Sequence, residues 1–164
     1  MTLDLPPAVS SALNAITAER LVTVLSELLA IPTITGTDEE SVGQHAMAVR
    51  LRELGLDTDL WEIALEDTLR VADFPGIEAP RTQAWGVVGT WGGSDGGARL
   101  VLNGHLDVVP LGDLSAWTVH PWAGVIRGGR VFGRGAGDVQ GGRGCRPVAG
   151  ARLRRAGGRA GAGV

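Results

Sequence analysis

Residues 100–110 read LVLNGHLDVVP, an apolar, β-branched run that ends in His105 and, two residues on, Asp107. Polar side chains at the mouth of a buried strand cost free energy unless something uses them. In open α/β sheets the carboxyl ends of the strands form the binding crevice. An imidazole there can ligate a metal ion while a nearby carboxylate orients it and raises its basicity. The same pair can also form a buried His–Asp hydrogen bond with no ligand at all. A zinc ion takes three or four protein ligands, so His-x-Asp alone does not decide between the two.

The other chemistry-bearing residues point elsewhere. GGSDG (92–96) matches G-x-S-x-G, but a nucleophile elbow needs a strand before the serine and a helix after it. The residues that follow, ARLVLNG, have the composition of a strand, so Ser94 is expected in a hairpin loop. GRGAGD (133–138) fails the dinucleotide fingerprint because Asp138 stands where its last glycine belongs. His45 falls beside the apolar face of an expected helix, which suits a packed or half-exposed structural residue. His120, in WTVHPW, is expected in a turn.

The elements that must position His105 and Asp107 follow from periodicity. TAERLVTVLSELLA (17–30) carries Leu21, Val24, Leu25, Leu28 and Leu29 on one stripe, with Thr17 as N-cap and Pro32 as terminator. A second helix opens on Thr37 and Glu40, a T-x-x-E capping box, and closes at Gly55. Val42, Ala46, Val49 and Leu54 are its expected apolar face. DTDLWEI, AWGVVGTW and ARLVLNG read as strands, residues 64–83 as a polar excursion, and VIRGGRVFG as a hairpin turning on Gly128 and Gly129. This order predicts an α/β layered sheet with flanking helices.

Composition narrows the function classes. The 164 residues carry a formal charge of -3, which gives no sign of a nucleic-acid surface. All 15 basic residues are arginine, so a P-loop lysine, a Schiff-base lysine and a pyridoxal-phosphate anchor are excluded. The single Cys145 cannot form an intramolecular disulfide. The N-terminus lacks the pattern of a signal peptide, and no run is long enough to span a bilayer, so a cytoplasmic protein with no membrane partner is expected. After Gly142 the chain has six arginines, no acidic residue and little but Arg, Gly, Ala, Val, Leu and Pro.

NGHLDVVP, then W117-T-V-H-P-W122, then VFGRGAGDVQGG together resemble the dinuclear zinc amidohydrolase and metallopeptidase family of acetylornithine deacetylase, succinyl-diaminopimelate desuccinylase, aminoacylase and glutamate carboxypeptidase. That family runs G-H-x-D-V-V-P, W-x-x-x-P-[FW] and G-R-G-x-x-D-x-[KQ]-G-G. IPTITGTDEES and RLRELGL are similar to its first helices, and the resemblance covers about residues 17 to 142. It implies a zinc-exopeptidase-like fold, present as the N-terminal part of the catalytic domain. It implies His105 as a ligand of one zinc, Asp138 as the carboxylate bridging two, and Asp107 as the residue that orients His105. It also implies cleavage of an amide bond in N-acyl amino acids or small peptides, with two zinc ions per complete site and cobalt as a possible substitute. Full-length members often dimerise through a domain this chain does not contain.

The resemblance also implies parts that this sequence lacks. The family's Glu-Glu pair, further acidic ligand and late histidine have no counterpart, since residues 143–164 contain no Asp, Glu or His. Residues 1–142 are therefore expected to be part of a catalytic domain. The basic stretch 143–164 has the composition of GC-rich codons read out of frame, or of a disordered tail on a natural short form. The chain on its own is expected to be truncated and inactive. The alternative is a non-catalytic fragment acting as a weak metal-binding or interaction module.

Overall fold

The computed structural model describes residues 6–92 and 100–138. Ser94, Cys145 and the stretch 143–164 lie outside the described residues. The elements in chain order are α1 (Pro7–Asn14), α2 (Ala18–Leu29), α3 (Asp38–Glu53), β1 (Asp57–Glu62), α4 (Leu65–Leu69) and β2 (Trp85–Thr90). A 3-10 turn (Leu114–Ala116) and the short strands β3 (Val125–Arg127) and β4 (Arg130–Phe132) follow. Among the described residues no helix is long and apolar enough to cross a membrane.

Local chemistry accounts for the helix ends. The Thr17 hydroxyl accepts the Arg20 amide at 3.3 Å and so caps α2. At the other end of α3, Leu56 N–H bonds Leu51 carbonyl at 3.0 Å and Gly55 N–H bonds Arg52 carbonyl at 2.8 Å. That pair of bonds is the Schellman closure, and Gly55 supplies the positive φ of 80° it needs. Periodicity does not predict α1; its signal is Pro7, which as first helical residue has no amide to leave unpaired.

The expected capping box on α3 forms differently. The Thr37 hydroxyl donates back to Ile34 carbonyl at 2.9 Å instead of capping the helix. Glu40 accepts the Gly36 amide at 2.8 Å, one residue earlier than the motif implies, and pairs with Arg81 at 3.0 Å. The apolar face of α3 is also corrected. Val42 and Val49 are more than half exposed, and the buried positions are Ser41, Gly43, Met47, Ala48 and Leu51.

Neighbours explain this rotation. The core gathers Val24 and Leu28 of α2, Met47 and Leu51 of α3, and Leu106, with Leu56 and Val87 against them. Gly43 faces the α2–α3 connection so closely that a Cβ there would lie 2.5 Å from Thr33 Cγ2. A valine cannot occupy that side, so the small residues turn inward and the valines outward.

Helices and strands mix as an α/β chain should, and among the described residues the strands form two antiparallel pairs. β1 pairs with β2 in the register Asp57↔Thr90 to Glu62↔Trp85, and β3 with β4 around Gly128 and Gly129 at φ 56° and 73°. The hairpin is thus as the sequence predicts. The strand expected at ARLVLNG is not formed over its described part. Leu100 and Val101 are each 83% exposed, and the parallel contact in this region is an isolated bridge between Ile34 and Val108. A β-branched run becomes a strand only when a neighbouring edge accepts its backbone bonds.

Candidate functional site

The segment carrying His105 and Asp107 is fixed from one side by the loop between α2 and α3. Val108 N–H bonds Thr33 carbonyl at 2.8 Å, and Thr35 N–H bonds Val108 carbonyl at 3.0 Å. The Thr33 hydroxyl, almost fully buried, donates to Leu106 carbonyl at 2.7 Å. Leu106 and Val108 point into the core at 2% and 3% exposure. Their burial turns the alternate side chains, His105 and Asp107, outward.

His105 Nδ1 lies 3.1 Å from Asp107 Oδ1 and 2.9 Å from Asp107 carbonyl oxygen. Both oxygens can only accept, so these contacts call for Nδ1 as the donor, the arrangement that frees Nε2 to act as a ligand. The second carboxylate oxygen, Oδ2, accepts from the Thr35 hydroxyl at 2.8 Å. The His105 side chain is 50% exposed and that of Asp107 25%, so the pair sits at the surface and not in the core.

Asp138 enters from a second loop. It lines a cavity of about 250 Å³ together with Val108, Val109 and Arg134. Its own amide bonds Gly135 carbonyl at 3.1 Å in a tight turn. The cavity thus brings Asp138 to the residues just after Asp107, while His105 is not among those that line it. Among the described residues no group of three or more His, Cys, Asp or Glu side chains is placed to hold a metal ion.

Sequence reasoning missed Arg134, although it is the arginine of GRG. Its guanidinium donates to Leu111 carbonyl at 3.0 Å and stacks 5.0 Å above the Trp117 ring, whose Nε1 donates to the same carbonyl at 3.1 Å. Arg134 N–H also bonds Pro121 carbonyl at 2.8 Å. Trp117 and Arg134, 17 residues apart, are thereby tied together. Asp113, in the same loop, caps the 3-10 turn. Hydrogen bonds from Ser115 hold its carboxyl below the ordinary carboxylate range.

The remaining histidines behave as their contexts imply. His45 Nδ1 meets Ser41 carbonyl at 2.9 Å and its ring stands edge-on to Trp85 at 4.5 Å. His120 lies in a turn whose carbonyl accepts the Ala123 amide.

Residues 101–161 match the family described as Peptidase family M20/M25/M40, on both sides of position 142. The chain is a relative of these peptidases. It is 36% identical over 124 residues to a succinyl-diaminopimelate desuccinylase of Methylocella silvestris, an alignment covering 76% of this chain and 28% of that protein. It is 35% identical over 115 residues to the protein of the same name from Stenotrophomonas maltophilia, covering 70% and 25%. It is 54% identical over 48 residues to that from Rhodospirillum centenum, covering 29% and 12%. The alignments thus span between 12% and 28% of the length of these relatives.

The donor chemistry can be tested against the metal that such a family implies. One oriented imidazole and one carboxylate in a nearby loop are ligands of the right type for zinc. They are fewer than the three or four protein ligands a zinc ion takes, so the described residues do not by themselves make a metal centre.

Proposed function

We propose that this chain carries part of the catalytic domain of a metal-dependent amide hydrolase acting on N-acyl amino acids or small peptides. The observation that carries the reading is the His105–Asp107 pair, with Nδ1 against the carboxylate and the carbonyl of Asp107. In this reading His105 is a metal ligand through Nε2, and Asp138 is a carboxylate shared by two ions. Asp107 orients the imidazole. Zinc is the metal the reading calls for, with cobalt as a substitute. The names of the relatives make an N-succinyl diamino acid the first substrate to test.

The chain's own contribution is positional. The Thr33–Thr35 loop holds the His105–Asp107 segment, and Arg134 with Trp117 holds the turn that presents Asp138. Residues 139–164 contain no Asp, Glu or His, so the Glu-Glu pair that the resemblance places after the glycine pair is not present there. The 164-residue chain alone is therefore proposed not to turn over amides. Residues 143–164 are proposed to be a basic stretch distinct in composition from the residues before it, although the family match runs on to residue 161. The second reading, a weak metal-binding module without catalysis, is favoured by the small number of donors among the described residues.

Cobalt(II) titrated into the chain, followed by visible absorption, tests the site. Weak binding is expected, lost in both His105→Ala and Asp138→Ala. Binding that survives both changes, or no binding at all, removes the basis of the proposal. Hydrolysis of N-succinyl or N-acetyl amino acids by the pure chain with added zinc would refute the claim that it is insufficient alone. A Glu-Glu continuation in another reading frame beyond codon 142 would favour the hydrolase over the module; its absence in all frames would favour the module.

A further inference from the structure

We infer that Thr35 is a positioning residue: its hydroxyl holds the Asp107 carboxylate in the orientation from which the other oxygen accepts the His105 Nδ1 proton. Thr35 Oγ1 lies 2.8 Å from Asp107 Oδ2, and Asp107 Oδ1 lies 3.1 Å from His105 Nδ1. The carboxylate is thus gripped at both ends, by a hydroxyl that donates and an imidazole that donates. A carboxylate held only by His105 could rotate about its terminal torsion, which is broad and soft.

Thr35 is itself placed by backbone bonds and not by its side chain. Its amide donates to Val108 carbonyl at 3.0 Å, and Ile34 bridges Val108 in parallel. The hydroxyl has one proton and two acceptors in reach, Asp107 Oδ2 at 2.8 Å and Val108 carbonyl at 3.3 Å. The shorter contact, to a carboxylate, is the stronger. Thr33, two residues earlier, supplies an internal contrast. Its hydroxyl ties down Leu106 carbonyl at 2.7 Å.

The inference rests on the amidohydrolase reading only for what the oriented imidazole is used for, and it is tested without metal. Nitrogen-15 NMR of the three imidazoles in the intact 164-residue chain, at one fixed pH above neutrality, reports which ring nitrogen carries the proton. His105 is expected in the Nδ1–H form. Thr35→Val removes the hydroxyl while the carbonyl of Asp107 still accepts from Nδ1. The ratio of Nδ1–H to Nε2–H form at His105 is then expected to fall about fivefold, the scale of one ordinary hydrogen bond. Thr35→Ser should restore it. Thr33→Val should lower the melting temperature and leave the ratio alone, and His45 and His120 should not respond in any variant.

An unchanged ratio in Thr35→Val overturns the inference. So does an equal fall in Thr33→Val, which would assign the effect to the loop as a whole. A wild-type chain without the Nδ1–H preference, folded or not, overturns it as well. If the ratio responds as expected while cobalt fails to bind, the positioning role stands and the hydrolase reading falls.

Discussion

Replacing Asp107 with asparagine separates a residue that tunes a metal ligand from one that merely holds the fold. The geometry allows the change with little rearrangement. In Asp107→Asn the side-chain carbonyl oxygen can still accept from His105 Nδ1, where the wild-type distance is 3.1 Å. The new amide would then face Thr35 Oγ1, which can accept from it and send its own proton to Val108 carbonyl, already 3.3 Å away. The His105 and Thr35 donors keep partners and one of the two new amide N–H groups gains one, so the main loss is of charge. A hydrogen bond to a charged group is worth ~1.5–3 kcal/mol and a neutral one ~0.5–1.5, a difference of about 1 kcal/mol. Half exposure of the His105 side chain reduces that further by solvent screening. A fall in melting temperature of no more than ~4 °C is expected. Metal affinity should fall far more, by ~10–100-fold, because the charge that supports the ligating imidazole is gone. Thermal melts and cobalt titration on the same preparation give both numbers. A large drop in melting temperature with metal affinity unchanged would show that Asp107 serves the fold and would refute the reasoning.

Other expectations concern packing. Gly43→Ala should destabilise the chain in chemical denaturation despite the ~1 kcal/mol that alanine normally gains over glycine inside a helix, because its Cβ would meet Thr33 Cγ2 at 2.5 Å; a gain in stability would contradict the close approach of α3 to the loop. Changing Leu100, Val101 and Leu102 together to Ser, Thr and Ser should reduce light scattering at high concentration, since these side chains are 83%, 83% and 56% exposed and an unpaired apolar segment invites edge-to-edge association. Little change in melting temperature should accompany it; a marked fall would place the segment inside the folded sheet.

The sequence alone determined the features that depend on a few neighbouring residues. Thr17 capping α2, Gly55 closing α3 and the glycine pair turning β3 into β4 are settled by local hydrogen bonding and by φ values that glycine tolerates. The adjacency of His105 and Asp107 is also local, for one intervening residue leaves the two side chains within a hydrogen bond. Tertiary structure decided whatever needed a distant partner. The inward side of α3 was chosen by Thr33 and by β2 packing against it, not by the position of its valines. Glu40 took Gly36 and Arg81 in place of the Thr37 amide because Arg81, 41 residues away in sequence, offered a charge at 3.0 Å. The run at Leu100–Leu102 has the composition of a strand yet stays unpaired, since backbone pairing needs an edge that composition cannot supply. Thr35 shows the same division at the site. Its hydroxyl reaches Asp107 across 72 residues of sequence, and only folding the α2–α3 loop onto residues 106–108 brings the two within 2.8 Å.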